Sequence, residues 1–409
     1  MKILSIIAQL PMRTGSGVYF SNVIDRLKGY GHVQRALFAV QDQVPFDILN
    51  PDEQFPVEFK SEELPFPVAG MSDVMPYDHT VYSDMDANMM RLWMDAFRKR
   101  LIRAKEEFKP DIVILHHLWY LTSLAAEIFG SDVVKIGICH NTDLRQAEKN
   151  PRLKGAYVTH ILDLDAIITL DESQKDKIAE VYRYPAERMF AIGGGFDEKI
   201  FYPLQDKVGN KTIQIAFSGK IDRSKGIFEL VKAFHKVCGK KQNVHLNVIG
   251  IPDRENGRRL DELIGEAENI TIIPVNNQRV LADTLRGMDI FVMPSYFEGL
   301  GLIALESLAC GLFTVATEID ALMELLGDVI NDSGVIEYVK LPRIYDVDKP
   351  VEEDLPEFVD RLSERLLVQI GKIERGESFP GVVEREIQKC SWGDIIGEMN
   401  DIISRVVGW

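Results

Sequence analysis

Residues 293–306 read MPSYFEGLGLIALE, and this stretch has the pattern of one strand–turn–helix unit. The apolar run that enters it is expected to end as a strand at Pro294, glycines then mark a turn, and a helix is expected to begin near Gly301. A nearly continuous apolar strand joined in this way to a helix is typical of a parallel sheet whose two faces are covered by helices.

The same alternation extends outward over the whole chain. In the first half, short apolar runs predict strands at 3–10, 36–40, 112–115, 133–139, 166–170 and 189–192. Helical periodicity lies between them, at 18–27, 89–108, 121–129 and 174–182. The pattern then restarts, with predicted strands at 213–218, 246–251, 270–275, 290–294 and 313–317. The predicted fold class is α/β, with two doubly wound Rossmann-like domains facing a cleft.

A polar stretch, punctuated by glycines at 193–195 and by Tyr202-Pro203 and continuing to about residue 211, is predicted to link the two domains. We predict an N-terminal domain of residues 1–195, completed by a C-terminal crossover helix at 391–409, and a second domain of residues 196–390. Residues 41–86 hold several prolines and little periodicity, so they are predicted to be a long excursion from the first domain. Whether this excursion is functional or an ordinary surface loop stays open.

Composition limits the classes of function. The chain has 409 residues, and 47 basic against 63 acidic residues give a formal net charge of −16. Such a surface repels phosphate backbones and anionic lipid, so we expect no nucleic-acid partner and at most peripheral membrane contact. The four cysteines form no CxxC pair, and no run approaches the ~18 apolar residues of a membrane span. We therefore expect reduced thiols and a cytoplasmic location.

The turn within 293–306 has the chemistry of an anion site. The first N–H groups of a helix lack intrahelical partners and carry partial positive charge, so they suit a diphosphate. Gly299 and Gly301 let a ligand approach the backbone. Glu298 at the turn and Glu306 on the helix are favourable there only if they contact hydroxyl groups, as on a ribose or a sugar ring. The alternative is that both are surface residues of an ordinary strand–helix joint.

A second window, residues 217–226, reads FSGKIDRSKG and follows the first strand of the second domain. Lys220, Arg223 and Lys225 place three cations within six positions of an otherwise acidic chain. Such cations neutralise a diphosphate and stabilise the charge that grows on it as it leaves. The alternative is a solvated basic turn.

Together the two windows resemble the retaining GT-B glycosyltransferases of family 4, whose second domain carries a G-R-x-x-x-x-K-G stretch and an E-x7-E element. The corresponding residues here are Gly219-Lys220, Lys225-Gly226, Glu298 and Glu306. Residues 309–311 and 315–317 continue the resemblance. The chain departs from the family at Lys220, which keeps the charge of the usual arginine without its planar fork, and at Asp320-Ala321, where two glycines are usual.

The resemblance implies an enzyme that moves a hexose from a nucleotide-diphosphate sugar to an acceptor with retention of configuration. The diphosphate is then expected on the backbone of 299–302 and on Lys220 and Lys225, with Glu306 on the ribose and Glu298 on the donor sugar. The donor-binding set implied in the second domain is Gly219, Gly250, Gly299, Leu300, Gly301, Leu302 and Glu306. The resemblance also implies an enzyme that needs no divalent metal or other cofactor. Among possible donors, a UDP-sugar is favoured over a GDP- or ADP-sugar.

In the first domain, residues 13–18 read RTGSGV and join its first strand to its first helix. They resemble the family's glycine-rich loop, which implies that Gly15, Ser16 and Gly17 lie near the transferring phosphate. The stretch is not GxGxxG followed by an acidic residue, so a nicotinamide cofactor fits poorly.

Three histidines also fall at strand ends of the first domain. Alternation along a strand puts His116 and His117 on opposite faces, so we expect one of them to point inward. No carboxylate or cysteine spacing supports a metal site. By resemblance, His140 lies beside the donor sugar, and the implied catalytic set is Glu298, His140, Lys220 and Lys225. The alternative for His140 is a hydrogen-bonded histidine at a strand end. His117, Asp143 and Arg145 are candidates for binding the acceptor, and for Arg145 the alternative is a surface arginine.

The acceptor is left open as a sugar, a small molecule or a lipid-linked molecule. The helix at 89–109 is amphipathic and carries several basic residues, which suits a membrane surface, but an ordinary half-buried helix is favoured. Two other functions share the predicted fold. One is a sugar-nucleotide epimerase or hydrolase, which needs no acceptor, and the other is a non-catalytic sugar-nucleotide binding protein.

Overall fold

A computed structural model describes residues 1–42, 46–73, 75–204, 212–275, 277–346 and 348–408. The chain divides into two compact units, Met1–Gly193 with Ile395–Trp409, and Gly194–Asp394. The stretch 205–211, predicted to be a linker, lies outside the described residues.

The first unit contains a parallel sheet covered by helices. Its strands are β1 (Lys2–Ile7), β2 (Val33–Val40), β3 (Gln54–Glu58), β4 (Ala69–Gly70), β5 (Thr80–Val81), β6 (Ile112–His116), β7 (Val134–Ile138), β8 (Ala166–Thr169) and β9 (Met189–Ala191). Its helices are α1 (Gly15–Gly29), α2 (Ala87–Phe108), α3 (Tyr120–Phe129), α4 (Thr142–Lys149), α5 (Pro151–Tyr157) and α6 (Ser173–Tyr182). Seven strands pair in the order β3-β2-β1-β6-β7-β8-β9, and β4 pairs with β5 separately.

The second unit repeats this plan. Its strands are β10 (Ile213–Ser218), β11 (Val244–Ile249), β12 (Ile270–Ile273), β13 (Ile290–Met293), β14 (Phe313–Thr317), β15 (Ile336–Val339), β16 (Ile344–Tyr345) and β17 (Lys349–Pro350). Its helices are α7 (Ile227–Cys238), α8 (Arg254–Ile264), α9 (Gln278–Arg286), α10 (Leu302–Ala309), α11 (Asp320–Asn331), α12 (Leu355–Glu374), α13 (Gly381–Lys389) and the start of α14 (Trp392–Val407). Six strands form a parallel sheet in the order β12-β11-β10-β13-β14-β15.

The central strands have the sequence that such sheets require. All five residues of β6 and all five of β14 are buried, because helices cover both faces and leave no polar side for the strand. The α/β fold class with two doubly wound units is therefore confirmed. In each sheet the strand order reverses beside the first strand, between β1 and β6 and between β10 and β13. Loops that leave the carboxyl ends of strands at such a reversal form the ligand sites of this fold class.

The prediction that residues 41–86 lie outside the sheet is wrong for β3. Phe55 and Val57 are buried against the sheet, whereas Pro56 between them is exposed. Proline is tolerated on this edge strand, because only one side of an edge strand needs to pair. With two buried positions, the alternation is too short to be recognised in the sequence.

Candidate functional site

In the second unit, the loops after β10 and β13 are in contact. Gly226, which ends the 218–226 loop, has a positive φ of 65°, and a Cβ placed on it would lie 2.1 Å from the carbonyl oxygen of Pro294. The backbone N–H of Tyr296 donates to the carbonyl oxygen of Ser224 at 2.9 Å. Two windows that are far apart in the sequence therefore form one structure at the carboxyl edge of the sheet.

This contact brings together two of the residues predicted to be catalytic. Lys225 Nζ lies 2.8 Å from Glu298 Oε1, and both side chains are half-buried. Ser295 Oγ donates to the same carboxylate oxygen at 2.8 Å. The cation predicted for the diphosphate and the carboxylate predicted for the donor sugar therefore form an ion pair with each other.

Lys220 is carried on the same loop but makes a different ion pair. Its Nζ lies 3.1 Å from Asp222 Oδ2, and its side chain is 71% exposed. Asp222 also accepts a hydrogen bond from Ser224 Oγ at 2.6 Å and one from the backbone N–H of Lys225. Partial burial acts to raise the pKa of Asp222, but the hydrogen bonds from Ser224 and Lys220 outweigh it and hold that pKa below its usual range. Asp222 therefore shapes the loop that presents both lysines.

Helix α10 begins at the end of the 294–301 loop. Its N-cap is Gly301, which has a positive φ of 68° and offers no side chain to cap the first N–H groups. A Cβ on Gly299 would meet nothing within 4 Å, so the surface beside this helix start is open. Leu300 is buried and Leu302 half-buried. The loop after β11 also packs against the 218–226 loop, since a Cβ on Gly250 would lie 2.6 Å from the carbonyl oxygen of Gly219.

Glu306 lies within α10 and is buried, with 9% of its surface exposed. Among the described residues its carboxyl group has no hydrogen-bond or ion-pair partner. Burial raises its pKa from 4.5 to about 8. A buried acid without a partner is uncommon in folded proteins, and this makes Glu306 a candidate for contact with a ligand.

In the first unit, the loop after β1 leads into α1. Thr14 caps this helix by accepting a hydrogen bond from the N–H of Gly17 at 3.1 Å, and Ser16 Oγ donates to Gln9 Oε1 at 3.0 Å. A Cβ on Gly17 would lie 2.8 Å from the backbone N of Met12, so the turn requires glycine there. Gly15 is the exposed member of the three predicted residues.

The expectation that only one of His116 and His117 points inward is wrong. His117 has a positive φ of 69°, which ends the strand and breaks the alternation. Both residues are buried, and both rings contact His140, with centroids 5.2 Å and 4.7 Å away. His116 Nδ1 lies 3.0 Å from His140 Nε2. Burial lowers the pKa of all three rings, that of His117 to about 3, so the cluster is neutral at pH 7.

Asp143 is fully buried, which contradicts its predicted contact with an acceptor. Its carboxylate accepts hydrogen bonds from the backbone N–H of Leu118 at 2.7 Å and of His140 at 3.2 Å, and so holds together the loops after β6 and β7. Burial raises its pKa despite these hydrogen bonds. Arg145, one turn along α4, is exposed.

The basic residues of α2 carry paired charges. Arg91 pairs with Asp95 and Arg103 with Glu107 within the helix, and Arg98 pairs with Glu127. The opposite face is buried, at Met90, Trp93, Ala96, Phe97, Leu101, Ala104 and Phe108. These contacts favour an ordinary half-buried helix over a membrane-docking surface. Within the described ranges, no helix combines the length and the apolar character needed to cross a membrane.

Some residues that shape the second-unit site were not predicted from the sequence. Asp222 and Ser295 each stand three positions before a predicted site residue, and such spacing is typical of local capping and turn contacts, so it offered a signal. Tyr296 and Glu229, which are hydrogen-bonded to each other, are far apart in sequence and offered none. In the part of the chain that the structure describes, no group of three or more His, Cys, Asp or Glu side chains is arranged to hold a metal ion.

Two family models match the chain. Residues 203–340 match the family described as Glycosyl transferases group 1, and residues 72–199 match Glycosyltransferase Family 4. The first match includes both loops of the second-unit site, and the second includes the histidine cluster.

Curated relatives are distant in sequence. The D-inositol 3-phosphate glycosyltransferase of Mycobacteroides abscessus is 26% identical over 260 residues, which are 57% of this chain and 57% of that protein. The alpha-maltose-1-phosphate synthase of Mycolicibacterium smegmatis is 24% identical over 328 residues, which are 72% of this chain and 79% of that protein. The chain therefore spans little more than half the length of the first of these relatives.

Solved structures resemble the chain over its whole length. Sucrose-phosphate synthase from Thermosynechococcus elongatus has a TM-score of 0.68 at 15% identity, covering 100% of this chain and 99% of that one. A protein from Anabaena, solved with UDP and glucose, has a TM-score of 0.63 at 14% identity, covering 99% of this chain and 100% of that one. At such identities these likenesses establish the fold. Because family models match segments of both units as well, the chain belongs to the GT-B glycosyltransferases of family 4.

Proposed function

We propose that this protein transfers a sugar from a nucleotide-diphosphate sugar, favoured to be a UDP-hexose, to an acceptor. The observation that carries the proposal is the contact between Lys225 and Glu298, 2.8 Å apart, beside the uncapped start of α10. A cation and free helix N–H groups suit a diphosphate, and a carboxylate next to them suits hydroxyl groups.

In this proposal the second unit binds the donor. Lys220 and Lys225 neutralise the diphosphate and stabilise the charge that it gains as it leaves. Glu306 accepts hydrogen bonds from the ribose and Glu298 from the donor sugar. The buried, unpartnered carboxyl of Glu306 supports this assignment, because ribose hydroxyls would supply the missing partners.

The first unit is proposed to bind the acceptor. The neutral histidine cluster at the carboxyl edge of its sheet offers hydrogen-bonding groups without charge. The roles of His140 and of residues 15–17 toward the donor remain predictions, as does retention of configuration, which family membership alone supports. The identity of the acceptor, whether sugar, small molecule or lipid-linked, stays open.

A thermal-shift panel of UDP, GDP and ADP and their sugar conjugates, with and without EDTA, tests the donor site first. A ligand at ~100-fold above its Kd should stabilise the protein by about 2.7 kcal/mol. We expect UDP compounds to act and EDTA to have no effect; stabilisation by no nucleotide would refute the proposal.

A second experiment distinguishes transfer from the acceptor-independent alternatives. The protein is incubated with the stabilising donor, with and without a panel of acceptors, and the anomeric proton of the product is followed by NMR. Transfer with retention requires a new glycoside that has the anomeric configuration of the donor. Consumption of the donor at the same rate without any acceptor would favour an epimerase or hydrolase instead.

A further inference from the structure

The 294–301 loop is anchored by Tyr296, whose side chain is buried. The Tyr296 hydroxyl donates to Glu229 Oε2 at 2.8 Å, and Glu229, in the first turn of α7, is only 2% exposed. Lys232 Nζ lies 3.3 Å from the other oxygen of Glu229. Removing one partner of a buried hydrogen bond is costly, because the remaining partner stays desolvated and unpaired. The hydroxyl therefore fixes the position of Tyr296 relative to α7.

The backbone of Tyr296 connects this anchor to the donor site. Its N–H donates to the carbonyl oxygen of Ser224, the residue before Lys225. Along its own loop, Tyr296 stands two residues before Glu298. Tyr296 is thus hydrogen-bonded to the residue before Lys225, and it is connected to Glu298 through Phe297 of the same loop.

We propose that Tyr296 and Glu229 are positioning residues, which hold the 294–301 loop so that Lys225 and Glu298 act on the same nucleotide sugar. The inference rests on the proposed donor site. Neither residue needs to touch the substrate, since both side chains are buried. The Tyr296 ring packs against Phe358 with centroids 5.7 Å apart, so Tyr296→Phe keeps this packing and removes only the hydroxyl.

The first test is a double-mutant cycle on the unfolding equilibrium, which needs no ligand. Tyr296→Phe and Glu298→Gln are measured singly and together by urea unfolding. If the hydroxyl positions the loop, the effect of Glu298→Gln on the unfolding constant should differ by at least about threefold between the two backgrounds. Additive effects would overturn the positioning role, whatever the protein binds.

The second test measures UDP binding by calorimetry. Tyr296→Phe should lower the affinity for UDP about tenfold, because the loss of one buried hydrogen bond to a charged group loosens the 294–301 loop. Glu229→Gln keeps an oxygen acceptor for the hydroxyl and should stay within about threefold of the wild type. The matched control is Tyr338→Phe, which removes a hydroxyl that donates to Asn331 Oδ1 at 2.6 Å elsewhere in the same unit.

The outcomes separate this inference from the proposed function. Unchanged UDP affinity in Tyr296→Phe, or an equal loss in Tyr338→Phe, would overturn the positioning role. Coupling in the unfolding cycle together with no binding of any nucleotide by the wild type would instead overturn the donor site on which the role depends.

Discussion

Replacing Glu306 by glutamine tests the donor site through protein stability. Burial raises the pKa of Glu306 from 4.5 to about 8, so at pH 7 this carboxyl group is mostly protonated in the folded protein and ionised in the unfolded chain. Each pH unit above the unfolded pKa costs about 1.4 kcal/mol of stability, or about 3 kcal/mol at pH 7. Glutamine does not ionise, so we predict that Glu306→Gln is more stable than the wild type by about this amount.

The difference must grow with pH. Because the folded pKa is raised, the stability that the protonated group contributes is complete below pH 4.5 and is lost as the pH rises through about 8. From pH 5 to pH 8 the wild type should therefore lose about 3 kcal/mol relative to Glu306→Gln. Urea unfolding at pH 5, 6.5 and 8 measures this loss, with Glu266→Gln, at an exposed position of the same unit, as the control. A difference that does not change with pH would refute the reasoning.

The same substitution reports on the ribose. Ribose hydroxyls donate hydrogen bonds most strongly to an ionised carboxylate, so UDP should displace the proton of Glu306 when it binds. Calorimetry at pH 7 in two buffers of different ionisation enthalpy should then detect the release of about one proton in the wild type, whereas Glu306→Gln should release none. Equal proton release by both proteins would place the ribose elsewhere.

Three further predictions address the remaining parts of the two units. Glu298→Gln removes the anion that competes with UDP for Lys225, so the affinity for UDP should rise about 3- to 10-fold, while the extra affinity of a UDP-sugar over UDP should fall. Titration of both ligands checks this, and a lower affinity for UDP would contradict it. Gly226→Ala should cost at least about 2 kcal/mol more in urea unfolding than Gly265→Ala, because both positions have positive φ but only the first added Cβ meets a backbone oxygen. Asp143→Ala removes the carboxylate that accepts from three backbone N–H groups, those of Leu118, His140 and Leu144, and should cost about 3 kcal/mol, whereas a loss below about 1 kcal/mol would show that water replaces the carboxylate.

The parts of the fold that depend on residues close together in the chain could be predicted from the sequence. Strands such as β6 and β13 are almost entirely apolar, and short patterns of this kind predict a buried parallel strand without knowledge of its partners. The turn glycines Gly226 and Gly301 could also be recognised, since both have positive φ where a strand passes into a helix. The loops of the proposed donor site could therefore be predicted from these signals.

Features that depend on distant partners could not be predicted. His117 leaves the strand conformation one residue after β6, so a period of two assigned its side chain to the wrong face. The sequence suggested Asp143 as a residue that binds the acceptor, and only the hydrogen bonds from the backbone of Leu118 and His140 reveal that its carboxylate has partners inside the protein. Such contacts join residues 25 and 3 positions apart, and the longer one has no local pattern.

The ion pair between Lys225 and Glu298 gives a physical reason why the two motifs must be adjacent in space. In a chain of net charge −16, the cation at this sheet edge is paired with a carboxylate of the same chain. A diphosphate that binds Lys225 replaces one anionic partner by another, so the charge on the lysine stays compensated throughout. If the donor site is as proposed, this exchange frees Glu298 to accept hydrogen bonds from hydroxyl groups of the sugar attached to that diphosphate. Two loops fixed to each other by Tyr296 and Gly226 can make this exchange with little movement, because both partners are already within hydrogen-bonding distance.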